Sequence, residues 1–150
     1  MTSKARSLKL NFIGLMAIPF LSLFASCAGE KSEGAKTQER LSDTEIKYFT
    51  NGKKLYTQYC ANCHAENGEG LGRLIPPLKN SDYLLSDIPR AAGIILNGMK
   101  GPIQVNGVEY NQPMPANPKL NQTEVLEILT YITNSWGNEY GGVAPELIKK

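Results

Sequence analysis

The sequence holds one histidine, His64, and three cysteines, Cys27, Cys60 and Cys63. That scarcity excludes much. No second imidazole is present for a zinc site, so only carboxylates could complete one around Cys60, Cys63 and His64. No Ser/His/Asp arrangement, phosphate-binding loop or pair of catalytic carboxylates is evident. Charge of either sign is also in short supply. The formal net charge is +2, but Lys4, Arg6 and Lys9 supply three of the 16 basic residues and residues 1–26 carry no acid. The remainder therefore has 13 basic against 14 acidic side chains. A chain so balanced lacks the basic surface that phosphate neutralisation needs, which excludes nucleic acid as a partner. There is no run of like charge, no internal repeat of domain size and no low-complexity tract. A length of 150 residues allows one domain with accessory segments.

Long apolar runs are nearly absent too. The single one, Leu10 to Ala25, covers 16 residues, short of the roughly 20 that a membrane span requires. It follows a basic stretch and ends in small residues, the three-part build of a secretory signal. Phe24-Ala25-Ser26-Cys27 resembles the bacterial lipobox, in which the cysteine takes a lipid and becomes the new N-terminus. That resemblance implies a signal over residues 1–26 and lipid attachment at Cys27. Ordinary cleavage and an uncleaved anchor are the alternatives, and all three imply export. Residues 27–40 hold no apolar cluster and read as a flexible tether. The folded domain is expected over 41–150.

Within it, two segments carry the same helix-start device. In Leu41-Ser42-Asp43-Thr44-Glu45-Ile46, Ser42 can cap, Glu45 can reach back to the cap amide and Leu41 can staple to Ile46. Leu120-Asn121-Gln122-Thr123-Glu124-Val125 repeats the pattern. These predict helices over about 43–60 and 122–136, the second closed by Gly137. A shorter helix is expected over 88–97, with Asp87 as its cap, Pro89 in its first turn and Gly98 at its end. Another helical turn is expected over 81–86. Asn106-Gly107 between alternating apolar residues predicts a small β-hairpin. The remainder is loop rich in Gly and Pro. Three or four short helices and long loops make a thin core, and loops of that kind need something to pack around. A buried ligand acting as core would supply it.

Cys60-Ala61-Asn62-Cys63-His64 names a candidate. CxxCH is the attachment motif of c-type haem. Two thiols three positions apart can reach the two vinyl groups of one porphyrin, and the following imidazole can donate to iron. A thioredoxin-like reading of Cys-x-x-Cys needs a preceding strand, and none is expected here.

With that motif between an N-terminal and a C-terminal helix, residues 41–140 resemble the class I cytochromes c. The resemblance implies an all-α cytochrome c fold around one covalent haem c, here with the small β-hairpin added. It implies that the two terminal helices cross, with Gly52 and Tyr56 packed on Ile128 and Tyr131. Pro76-Pro77-Leu78 resembles the family's Pro-x-Leu segment. This implies that the Pro76 carbonyl, or else that of Pro77, holds His64 Nδ1–H, and that Leu78 lies against the haem. Met114, in Pro113-Met114-Pro115, stands where the family places its methionine ligand. Met99 is the other methionine of the domain and is expected in the core or at the surface, with an open sixth position as the remaining option. Tyr83, Arg90, Trp136 and Asn138 are candidate neighbours of the haem or its propionates, with a solvated Arg90 and a packing role for Trp136 as the alternatives.

The expected function is electron transfer by a haem with His64 and Met114 as axial ligands, in an electron carrier and not an enzyme. Its expected partners are redox proteins, such as a terminal oxidase, reductase or dehydrogenase, and the membrane through the N-terminal lipid. No small-molecule substrate and no nucleic acid is expected. The alternatives are a haem-bearing subunit of a larger oxidoreductase and an open-site sensor or peroxidase. The expected location is a membrane-anchored lipoprotein facing the periplasm or cell exterior of a bacterium.

Overall fold

The structure, a computed structural model, describes Thr37 and residues 39–148. The signal segment, Cys27 and most of the stretch read as a tether lie outside the described residues. From Leu41 onward, the described residues form five helices and one hairpin in chain order: α1 (Asp43–Tyr59), α2 (Ala61–His64), α3 (Asp82–Ser86), α4 (Ile88–Asn97), β1 (Ile103–Val105), β2 (Val108–Tyr110) and α5 (Gln122–Ile132). A short 3-10 turn, Pro145–Leu147, comes last. Among the described residues, no helix is long and apolar enough to cross a membrane.

Local chemistry accounts for the helix starts. At α1, Glu45 Oε2 accepts from the Ser42 amide at 2.8 Å while Ser42 Oγ accepts from the Glu45 amide at 3.4 Å. At α5 the reciprocal bonds between Asn121 and Glu124 are 2.8 and 3.0 Å. Each pair satisfies two amides that the helix leaves without carbonyl partners. Asp87 Oδ1 caps α4 by accepting from Arg90 N at 2.9 Å. In the hairpin Asn106 and Gly107 both take positive φ, 51° and 75°. That geometry gives the type I′ turn whose twist matches its strands. Asn106 also exchanges side-chain bonds with Asp82, at 3.1 and 2.7 Å, and so ties the hairpin to the start of α3.

The helix predicted over 122–136 ends earlier, at Ile132. Its last carbonyls accept from side chains as well as from the capping amides. Thr133 Oγ1 donates to Leu129 O at 2.7 Å, Ser135 Oγ to Tyr131 O at 2.7 Å and Asn138 Nδ2 to Ile132 O at 2.7 Å. Such local bonds compete with helix continuation. Packing also begins a few residues ahead of Leu41. Thr37 is buried and donates to Asn134 O at 3.4 Å, and Arg40 pairs with Glu139 at 3.1 Å.

The core is organised by α1 crossing α5. A Cβ at Gly52 would stand 1.9 Å from Glu127 O and 2.9 Å from Tyr131 Cβ, so the helices touch backbone to backbone there. Asn51 Nδ2 donates across the crossing to Glu127 Oε1 at 2.9 Å. Four rings pack beside it: Tyr131 lies 5.1 Å from Phe49, 5.4 Å from Tyr56 and 5.3 Å from Trp136, between centroids. These separations fall in the range where aromatic pairs attract. Gly52→Ala should destabilise the protein by about 3 kcal/mol through overpacking. Gly93→Ala, in α4 with nothing within 4 Å of the added carbon, should stabilise by about 0.5–1 kcal/mol. Thermal unfolding of the two variants reads both signs, and equal effects would contradict the crossing geometry.

Candidate cofactor site

The crossing aims the end of α1 at the site. The Cys60 amide donates to Tyr56 O at 2.8 Å, and Cys60 O then accepts from Cys63 N at 3.1 Å and His64 N at 2.9 Å. The five motif residues thus form a continuous turn at the helix end. Tyr56 Oη donates to Ala65 O at 2.5 Å and fixes the chain where it leaves that turn. Burial raises the Tyr56 phenol above its ordinary pKa, with the neighbouring Cys60 adding to the rise, so the phenol keeps the proton it donates.

The next loop folds back beneath His64. Gly70 N donates to His64 O at 3.0 Å, and Gly68 O accepts from Leu78 N at 2.8 Å and Lys79 N at 3.0 Å. Asn138 Nδ2 donates to Leu78 O at 2.8 Å, which attaches the loop to the segment after α5. These bonds bring the Pro76 carbonyl to 3.1 Å from His64 Nδ1. A carbonyl can only accept, so Nδ1 carries the proton. Burial lowers the pKa of His64, against an opposing pull from the Pro76 bond. The ring is therefore neutral, and its Nε2 keeps a lone pair for a metal. Cys60 is pushed up to about 11 by burial, with Cys63 adding to the shift. As a free thiol it is therefore protonated at neutral pH.

His64 opens on an apolar cleft made of two adjoining cavities. Both are lined by Cys60, His64, Pro76, Met99, Ile103 and Met114. The smaller one, about 80 Å³, adds Pro77, Leu78, Tyr83, Ile95 and Val105. The larger one, about 300 Å³, adds Cys63, Tyr59, Leu74, Tyr110 and the prolines either side of Met114. At its mouth Leu74 is 58% exposed. The structure thus brings Cys60, Cys63, His64, Pro76, Leu78 and Met114 around one space. Among the other candidates, Tyr83 lines that space. Arg90 does not: it stacks its guanidinium 3.8 Å from the Tyr83 ring centroid and bonds Ser86 Oγ at 3.0 Å. Trp136 packs on Tyr56 and covers Gly68, and Asn138 serves the loop.

Two features escaped sequence reasoning. The hairpin is a wall of the cleft through Ile103, Val105 and Tyr110. Its alternation of apolar residues was the available signal, since Ile103 and Tyr110 are paired in the register and point to one face. Met99, expected in the core or at the surface, lines the cleft beside Met114. The backbones of the two methionines pair directly, with Met99 N to Met114 O at 2.9 Å and Met114 N to Met99 O at 3.0 Å.

The family model for cytochrome c matches residues 49–136. This chain belongs to the cytochrome c family. Cytochrome c-552 of Thermus thermophilus is 32% identical over 94 residues, which cover 59% of this chain and 70% of that protein. The cytochrome c subunit of a quinone alcohol dehydrogenase from Gluconacetobacter polyoxogenes is 29% identical over 93 residues. Those residues span 61% of this chain but only 20% of that subunit. The corresponding subunit from Gluconobacter oxydans is 27% identical over 94 residues. Membership in the family fits electron transfer and implies covalent haem c. The cleft suits that group: most of its lining is apolar, it holds two thiols on one turn, and the imidazole, bonded to Pro76 O through Nδ1, leaves Nε2 free to ligate.

Gly70 is a sensitive point of this geometry. It has φ +70°, and a Cβ there would stand 2.2 Å from Ile75 O and 2.7 Å from Pro76 O. Gly70→Ala should displace the Pro76 carbonyl, lower stability by about 1–3 kcal/mol and shift the reduction potential of the holoprotein. Calorimetry and potentiometry test this, and wild-type values in both would contradict the role given to the loop.

Proposed function

We propose that this protein is an electron carrier with a single haem c, attached through Cys60 and Cys63 and ligated axially by His64 and Met114. The observation that carries the reading is the presence of two suitable donors in one largely apolar cleft. A neutral imidazole with Nδ1 bonded to Pro76 O stands in the same cleft as a thioether flanked by two prolines. When bound, haem supplies reversible one-electron exchange at its iron. The chain's residues do the rest. Pro76 fixes the tautomer and orientation of His64. Pro113 and Pro115 restrict the backbone on either side of Met114, which reduces the entropy lost on ligation. A soft thioether favours a higher potential than a second imidazole would. Leu78 and the hairpin wall exclude water and lower the local dielectric.

With both axial positions filled by protein, no substrate has to reach the iron. Transfer then requires an edge of the cleft open to a partner, and exposed Tyr59 and Leu74 at the mouth support that. The partner is a redox protein, such as a terminal oxidase, reductase or dehydrogenase. A second reading, a haem-bearing subunit of a larger oxidoreductase, is favoured by the likeness to subunits of quinone alcohol dehydrogenase. Stable stoichiometric co-purification with a dehydrogenase would select it over a mobile carrier.

The N-terminal sequence supports export and anchoring: a signal over residues 1–26, a lipid on Cys27, a tether and the domain. Tethering raises the effective concentration of the domain near membrane partners. Cys27→Ser should move the protein from the membrane to the soluble exported fraction, and retention in the membrane would overturn the lipid anchor.

The main test is the optical spectrum of the holoprotein with and without carbon monoxide. The expected result is low-spin haem in both oxidation states, with a ferrous form unchanged by carbon monoxide. A ferrous form that binds carbon monoxide readily would replace the carrier reading with an open-site sensor or peroxidase.

A further inference from the structure

The pairing of Met99 with Met114 places two thioethers in the cleft. In an antiparallel bridge, residues that exchange both backbone bonds lie directly opposite and send their side chains to the same face. Met99 and Met114 exchange both bonds, and both line the two cavities that His64 also lines. The approach of the two backbones is close. A Cβ at Gly98, the residue before Met99, would stand 2.6 Å from Met114 O and 2.8 Å from Ala116 N.

The two sulfurs differ in what holds them. Met114 sits between prolines. Met99 Sδ accepts from Tyr83 Oη at 3.9 Å, a weak bond that engages one sulfur lone pair. Tyr83 is itself fixed: the Arg90 guanidinium stacks on its ring, and Arg90 Nη2 donates to the Tyr83 carbonyl. That carbonyl and the ring are therefore held from one side by a single arginine. Methionine has three rotatable side-chain bonds and adapts to irregular space, so Met99 can reach further into the cleft once its sulfur is released.

We propose that Met99 is a reserve axial donor: when the Met114 sulfur leaves the sixth position, the Met99 sulfur takes it and the site stays closed. Tyr83 is the positioning residue that holds Met99 in waiting. This rests on the His64/Met114 reading, and the test separates the two.

The experiment compares the wild-type holoprotein with Met114→Leu, Met99→Leu and the double variant. The leucines keep apolar volume in the cleft, and haem content with far-ultraviolet circular dichroism verifies that each variant folds. Spin state, carbon monoxide binding and the ring-current-shifted methionine methyl signal of the ferrous protein are read in each. The expected pattern is low-spin haem with a shifted methyl in wild type, in Met99→Leu and in Met114→Leu, and loss of both with rapid carbon monoxide binding only in the double variant. Adding Tyr83→Phe to Met114→Leu should leave it low-spin and slow its residual carbon monoxide binding; faster binding would overturn the role given to Tyr83. If Met114→Leu matches the double variant in spin state and carbon monoxide binding, Met99 is no reserve ligand and the proposal falls while the His64/Met114 reading stands. If wild type itself binds carbon monoxide, the His64/Met114 reading falls, and the proposal with it. If Met99→Leu alone opens the site, Met99 is the resident ligand and the proposed roles are overturned.

Discussion

Backbone contact between α1 and α5 at Gly52 is the constraint on which the site depends. The C-terminal end of α1 runs without interruption into the Cys60–His64 turn, so the position of His64 is inherited from where α1 lies. The segment after α5 supplies Asn138, which holds the loop that carries Pro76. One crossing therefore locates both the imidazole and the carbonyl that orients it. A side chain at Gly52 would not touch the cleft, yet it would separate the two helices from which the cleft's proximal face is hung. Trp136 reinforces the arrangement by covering Gly68, at the start of the same loop.

The opposite face is assembled differently. Met114 and Met99 come from segments on either side of the hairpin, joined by two backbone hydrogen bonds. The hairpin is tied in turn to α3 by Asp82 and Asn106. Its apolar side faces the cleft, and this relieves the thin core that so few short helices would otherwise leave. The cleft is the space around which the Gly- and Pro-rich loops are arranged. A bound apolar group there completes the core as well as conferring function.

Much of this was legible in the residues because the signals were local. Capping boxes announce α1 and α5 within six residues each. Asn106-Gly107 specifies its turn by backbone conformation alone. The Cys60–His64 motif carries its chemistry in five consecutive positions. What the sequence did not reveal was set by contacts between distant segments or by competition for hydrogen bonds. The early end of α5 follows from hydroxyl and amide side chains that take helix carbonyls, which apolar periodicity does not register. The place of Met99 follows from pairing with a segment fifteen positions away, which no window of local sequence contains. Arg90 could be weighed as a partner for an anionic group or as a solvated charge on a helix face; its stacking on Tyr83 is a matter of α3 meeting α4.

The two sides of the cleft are thus built to unequal stiffness. His64 is held by a helix end, a backbone amide and a carbonyl in a cross-linked loop, and its motif is the one with covalent reach. Met114 is held by one rung of ribbon between two prolines, with one further backbone bond, Asn117 N to Ile95 O at 3.0 Å, tying its segment to α4. Thermal or chemical stress will accordingly be felt as a hinge on the methionine side, with that rung as the pin, while the histidine side behaves as the door frame. Partial opening of this molecule is a swing with a fixed direction, in which the methionine wall of the cleft gives way before the polypeptide as a whole lets go.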